Sequence, residues 1–267
     1  MLVVSDNLNL ARRHVATAIE KRDGGSIREL AHKIEEAGAD VIDVNIGLMT
    51  SDPAGTLVWL VDTIQEVTDL QLSLDAHTAE AAIAGADRAK KPPILNAYYL
   101  QSSHPDQVQS VLLPYAVKNN LELILPTMSD GAPPLDPDAR AAVAVELVDM
   151  ALAAGMQSDK IYVDPVVVHL LGGNAQAHAV AVLETMKRLP RLYDPPVKTI
   201  AGVEYLSQGH PSELRSAVNR AFLGMLAALD LTAAMVDVLD SETMRDIRLI
   251  KALRNESLYS VSDAELK

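Results

Sequence analysis

Eight short β-rich runs punctuate the chain, and most of the intervals between them carry a helical pattern. No other feature restricts the fold so much. The runs are Leu2–Ser5, Val41–Ile46, Leu70–Leu74, Ile94–Tyr98, Leu121–Pro126, Ile161–Val167, Lys198–Val203 and Ala234–Val238. The clearest helical stretch is Ser26–Ala37, where Ile27, Leu30, Ala31 and Ile34 mark one face. Ser26 with Glu29 forms a capping box there, and Gly38 stands at the stop. Pro53–Thr68 puts Leu57, Leu60, Val61, Ile64 and Val67 on one side. Thr78–Lys90, Pro105–Lys118, Pro137–Ala154, Ala175–Leu189, Ser212–Leu229 and Ser241–Arg254 follow the same pattern. Such alternation with turn-sized joins predicts parallel strands linked by crossover helices. Eight units in 267 residues is the size of a (β/α)8 barrel. An open doubly wound sheet is the rival. It favours a glycine-rich phosphate loop after an early strand, and neither GxGxxG nor GxxxxGK[ST] occurs. No break in composition divides the chain, so residues 1–255 are expected to form one barrel and residues 256–267 a polar tail.

A barrel of this kind carries its function at the C-terminal ends of its strands. Each run delivers polar groups there: Asp6, Asn7 and Asn9; Asp43, Asn45 and Gly47; Asp75 and His77; Asn96, Tyr98 and Tyr99; Thr127, Ser129 and Asp130. The last three runs add Asp164, then Glu204, Tyr205, Ser207 and Gln208, then Asp237 and Asp240. Asp43 and Asn45 are the most telling. They lie inside an apolar run, and two-residue spacing puts them on one face of a strand. An unpaired buried carboxylate is costly, so a protein group or a ligand must meet them. The ring as a whole is rich in carboxylates and amides and nearly devoid of Lys and Arg, which disfavours a phosphorylated substrate. A flat heterocycle with N–H donors and ring acceptors suits it. The blander roles are also open. Asp240 reads as a helix cap, Asp6 and Asp130 as turn formers or site residues, His77 and His169 as satisfied polar residues, and Trp59 as core.

Composition removes several classes. The net charge of −13 argues against wrapping nucleic acid. No run of 18 apolar residues is present, so no membrane span is expected, and the first residues lack a secretory pattern. A cytoplasmic location is expected. The absence of Cys excludes disulfides, thiolate nucleophiles and Cys-ligated metals. His14, His32, His77, His104, His169, His178 and His210 form no HxxxH spacing, and no metal site is expected.

The stretches GADVIDVNIG, LSLDAHTAEA, ILNA, YVDPVV, KTIAGVEYLSQG and VNRAFLGMLAALDLTAAMVD run in order over nearly the whole chain. Together they resemble the methyltetrahydrofolate:corrinoid/iron–sulfur protein methyltransferases. These are pterin-binding TIM barrels distantly related to dihydropteroate synthases. The resemblance implies a single (β/α)8 barrel of the pterin-binding type that passes the N5-methyl of methyltetrahydrofolate, or a related reduced pterin, to or from the cobalt of a corrinoid (cobalamin) on a partner protein. It implies that Asp75, Asn96 and Asp164 hold the pterin edges. Asp43, Asn45 and Gly47 match the family's second-strand motif, and Gln208, Asn219 and Arg220 match positions after strand seven. It also implies a homodimer. The corrinoid carries the hard chemistry, so the barrel supplies positioning, electrostatics and help at N5.

The chain departs from that family at the reactive end. Tyr205 stands where the family has an Asn that reaches N5, so Tyr205, with Asn96 and Asp75, is the catalytic expectation here. Ala97-Tyr98-Tyr99-Leu100-Gln101 replaces a small polar run, Asp6-Asn7 replaces a Glu-Arg pair, and about two extra residues separate Gln208 from Asn219. A Tyr hydroxyl also donates a hydrogen bond; alternatively the rings reshape the pocket for another methyl carrier or end turnover, leaving a binding module. A dihydropteroate synthase fits less well, because the first loop lacks a Thr-Pro-Asp-Ser-like stretch and the second strand lacks Ser-Thr-Arg-Pro.

Overall fold

A computed structural model describes residues 1–47, 51–98, 101, 104–129 and 131–266. Tyr99 and Asp130 lie outside the described residues. Eight parallel strands close into a barrel in sequence order: β1 (Leu2–Asn9), β2 (Val41–Asn45), β3 (Gln71–Asp75), β4 (Ile94–Asn96), β5 (Glu122–Pro126), β6 (Ile161–Asp164), β7 (Lys198–Gly202) and β8 (Ala233–Val236). β8 pairs back onto β1 through Leu2 and Ala233. β1 runs beyond its expected end to Asn9, with an irregularity in register between Ser5 and Leu8. β4 and β6 stop short of Tyr98 and Val167, at Asn96 and Asp164.

Two apolar layers hold the barrel. The outer one fills the space between strands and helices, with Ile42, Val44, Leu57, Leu60, Leu74, Leu95, Leu123 and Val163 all buried. The inner one is small: Val4, Val41, Ile94, Ile124, Tyr162, Ile200, Ala233 and Met235. Successive side chains on a strand point to opposite faces. With Val41 in the inner layer, Asp43 and Asn45 also face the barrel interior. The floor is polar and plugged. Lys198 Nζ lies 2.5 Å from Glu122 Oε1 and 4.9 Å from the Tyr162 ring centroid, and Gln71 donates to Glu122 at 3.4 Å.

Side-chain carboxylates and hydroxyls cap several of the helices. Asp52, Thr78, Asp136 and Asp240 each accept a backbone N–H of the first turn. Asp240 is thus a cap, as expected. Ser26 is not: the helix begins earlier, at Gly24–Glu36, and Asp23 caps it by accepting from Ser26 N at 3.1 Å and Ser26 Oγ at 2.7 Å. Gly38 ends that helix at φ 92°, a region glycine adopts freely. The stretch before β5 is not one regular helix, because a π-helical turn at Val108–Leu112 separates Pro105–Gln107 from Leu113–Lys118. Trp59 packs against the core and also under the Arg22 guanidinium, 5.0 Å from the ring centroid. The last residues form a capped turn at Val261–Ala264, tied down by Arg248 donating to Glu265 O at 2.7 Å. No helix among the described residues is long and apolar enough to cross a membrane.

Candidate functional site

The barrel brings one amide and one carboxylate after another to a common level. Asn45 is in register with Asp75, and Asp75 with Asn96. Asp164 stands opposite Pro126 at the end of β6. These four residues line a cup over the inner apolar layer, floored by Ile124, Ile200 and Met235. Asn45 Nδ2 donates to Asp75 Oδ2 at 2.9 Å, and Asn45 Oδ1 accepts from Gly47 N at 3.0 Å. Gly47 supports the cup rather than lining it. At φ 53° it turns the chain away, and its carbonyl meets His77 Nδ1 at 2.8 Å, which satisfies that histidine.

Asp43 sits one step below the rim. Its Oδ1 accepts from Ser73 Oγ at 2.6 Å and from Asn96 Nδ2 at 3.4 Å. Its Oδ2 is buried with no hydrogen-bond partner. Burial pushes the Asp43 carboxyl up to about 6, against the lowering effect of the Ser73 and Asn96 hydrogen bonds. Asp164 is raised further, to about 7, again by burial, although the Val166 amide and the Arg140 charge oppose this.

The turn after β6 is strained and clamped. Val166 adopts φ 59°, which is unfavourable for a β-branched residue. Its amide donates to Asp164 Oδ1 at 2.8 Å. Arg140, fully buried, holds the turn from behind. Its Nη1 donates to the carbonyls of Pro165 (3.1 Å) and Val166 (3.3 Å), and its Nε to that of Pro134 (2.8 Å). Its Nη2 lies 2.6 Å from His178 Nδ1, which must accept there, and burial and the Arg140 charge both lower the His178 pKa. Arg140 is not legible in the sequence, because an arginine in an amphipathic helix reads as solvent-facing.

Two tyrosines close the cup. The rings of Tyr98 and Tyr205 stack with centroids 6.3 Å apart and planes at 19°. Gly202 makes this possible: a methyl group on it would lie 2.8 Å from Tyr205 Cδ2. The open space left in the cup is about 20 Å³, room for roughly one water. Tyr205 also lines a wider cleft of about 500 Å³ over β1, β7 and β8, with Asp6, Asn9, Arg12, Glu204, Gln208 and Asn219. Gln208 therefore belongs to the cleft and not to the cup. Arg220 belongs to neither. Its guanidinium lies 3.2 Å from Glu242 and 3.3 Å from Asp246, between two outer helices, so the expectation that it binds substrate is not met by its position.

A flat ring rimmed with amine and amide N–H groups needs acceptors in one plane and an apolar bed, and the cup offers both. The buried, partnerless Asp43 Oδ2 adds an acceptor below that plane. Residues 7–239 match the family model described as pterin binding enzyme, and the chain belongs to that family. It is 26% identical, over 255 residues, to a protein named methylcorrinoid:tetrahydrofolate methyltransferase from Eubacterium limosum, covering 95% of this chain and 91% of that one. In fold it resembles the dihydropteroate synthase of Yersinia pestis, with TM-score 0.66 and 18% identity over 95% of this chain and 93% of that one. It likewise resembles the Xanthomonas albilineans dihydropteroate synthase solved with 4-aminobenzoic acid, with TM-score 0.69 and 18% identity over 97% and 93%. The chain is thus a (β/α)8 barrel of the pterin-binding type.

Proposed function

We propose that this chain is a methyltransferase that exchanges a methyl group between N5 of a reduced folate and the cobalt of a corrinoid carried by a partner protein. The observation that carries this reading is the rim of Asn45, Asp75 and Asn96, in register with one another, joined by Asp164 at the end of β6 over an apolar bed. The full-length likeness to a relative named for that reaction supports it. The corrinoid, delivered by its carrier, would supply a metal that bonds the methyl group with the metal's own electron pair and keeps that pair when the methyl group leaves. The barrel does the rest. Asp75, Asn96 and Asp164 hold the ring edges, Asn45 and Gly47 fix Asp75, and Asp43 orients Asn96 from below. Tyr205 is the hydrogen-bond partner of N5 in place of the family's Asn, and Gln208 borders the entrance. The closing tyrosines exclude water from the reacting nitrogen.

A different reduced pterin as methyl carrier is the second reading, favoured by the Tyr98–Tyr205 pair that fills the mouth. One experiment separates them. The chain is mixed with tetrahydrofolate and a methylated corrinoid, and the corrinoid spectrum is followed. Loss of the methyl-corrinoid spectrum with formation of methyltetrahydrofolate supports the first reading; tight folate binding with no spectral change refutes it.

A further inference from the structure

We propose that Glu204, reached from the cup through Tyr205, is the group that takes up and returns the N5 proton. This rests on the methyl-transfer reading above. When the methyl group moves from the corrinoid to N5, the N5 lone pair forms the new bond to carbon. The carbon–cobalt electron pair remains with the corrinoid, and the N5 hydrogen must leave as a proton. In the opposite direction the same proton returns as the carbon–nitrogen bond breaks. The cup itself is a poor outlet, because its open space is about 20 Å³.

Tyr205 is the shared wall: among the described residues it alone lines both the cup and the 500 Å³ cleft. Glu204 precedes it in the same turn, Val203–Ser207, and lines the cleft. Its Oε1 is buried with no hydrogen-bond partner, so it is open to a proton. Asn219, 1% exposed, also lines the cleft, and its Oδ1 is a second buried acceptor with no hydrogen-bond partner.

The surroundings tune Glu204 to the task. Burial raises its carboxyl to about 7, and the charges of Asp237 and Asp6 raise it while Arg12 and a backbone hydrogen bond with Asp237 lower it. Asp6 faces the same space and is itself raised to about 7, first by burial, then by Asp43 and Asp237, while Asn9 and Arg12 lower it. Arg12 is engaged with Asp237 at 3.0 Å, which limits its pull on the two carboxyls. Arg215 and Asp240 stand further along the same cleft. A base whose pKa lies near the working pH is the most effective for proton transfer.

The test is the pH dependence of single-turnover methyl transfer to tetrahydrofolate in wild type, Glu204→Gln, Tyr205→Phe and Asp6→Asn, with folate affinity and the infrared band of protonated carboxyls measured alongside. The wild-type rate is expected to rise with pH and level off above about 7. Glu204→Gln should lose about 100-fold in rate and the neutral inflection, keep folate affinity within twofold, and lose a carboxyl band that titrates near neutrality. Tyr205→Phe should lose rate while keeping that band. Asp6→Asn, with one neighbouring anion fewer, should move the inflection to lower pH and remain active. An active Glu204→Gln variant with the wild-type pH profile overturns the role of Glu204 alone. A wild-type chain that transfers no methyl group overturns this inference together with the function it rests on.

Discussion

Asp164 gives the sharpest prediction, because its environment sets both the sign and the size of an effect on binding. In the folded barrel its carboxyl holds a proton up to about pH 7. A ring that presents N–H groups to it binds the carboxylate, so the proton must leave on binding. Below pH 7 each unit of acidity then costs about 1.4 kcal/mol, or tenfold in affinity. Between pH 8 and pH 5.5 the loss amounts to about 30-fold, or about 2 kcal/mol. Asp43, raised to about 6, steepens the slope only below that point. Asp164→Asn removes the ionisation. It should weaken folate binding at pH 8 by about 1–3 kcal/mol, since the amide offers one acceptor fewer, and leave affinity nearly level between pH 8 and pH 6. Fluorescence titrations of both proteins in matched buffers provide the measurement, and the variant corrects for titration of the folate itself. A level wild-type curve, or an equal slope in the variant, would refute the placement of Asp164 against ligand N–H groups.

Other parts of the site give further predictions. Arg140→Met should destabilise the fold by about 3–5 kcal/mol, because it strands the carbonyls of Pro134, Pro165 and Val166; an unchanged denaturation midpoint contradicts the clamp. Asp6 is 7% exposed and its pKa is higher folded than unfolded, so folding is favoured in acid and disfavoured as pH rises from about 4 to about 7. Asp6→Asn should therefore gain, relative to wild type, up to about 4 kcal/mol between pH 4 and pH 8, read from urea melts at the two values; a constant difference defeats the assignment. Tyr98→Ala removes one of the stacked rings and should speed folate association severalfold in stopped-flow traces, whereas equal rates would show that the ring does not gate entry.

The barrel is legible in the sequence because its strands are short apolar runs and its helices carry a stripe every three to four residues. The rim is legible for a related reason. Asp75, Asn96 and Asp164 follow directly on apolar runs, and strand period alone turns Asp43 and Asn45 inward beside Val41. What escaped depends on contacts between distant residues. Tyr98 and Tyr205 come from different loops, and only the closed barrel stacks them. Glu204 is one of many acids until the fold buries one of its oxygens. Arg140 resembles any charged residue on a helix. The cap at Asp23 was hidden by Gly24-Gly25, which suggests a turn and not a first helical residue. Arg220 matched a family position, yet its side chain leaves the site for Glu242 and Asp246.

The plug of Gln71, Glu122, Lys198 and Tyr162 closes the barrel at the end where its strands begin, so the cup is entered from the end where they finish. Under the proposed function, the folate ring must be seated before a bulky carrier protein settles over that entrance, and it can depart only after the carrier lifts away. The two substrates are thereby bound to a fixed order of arrival and departure.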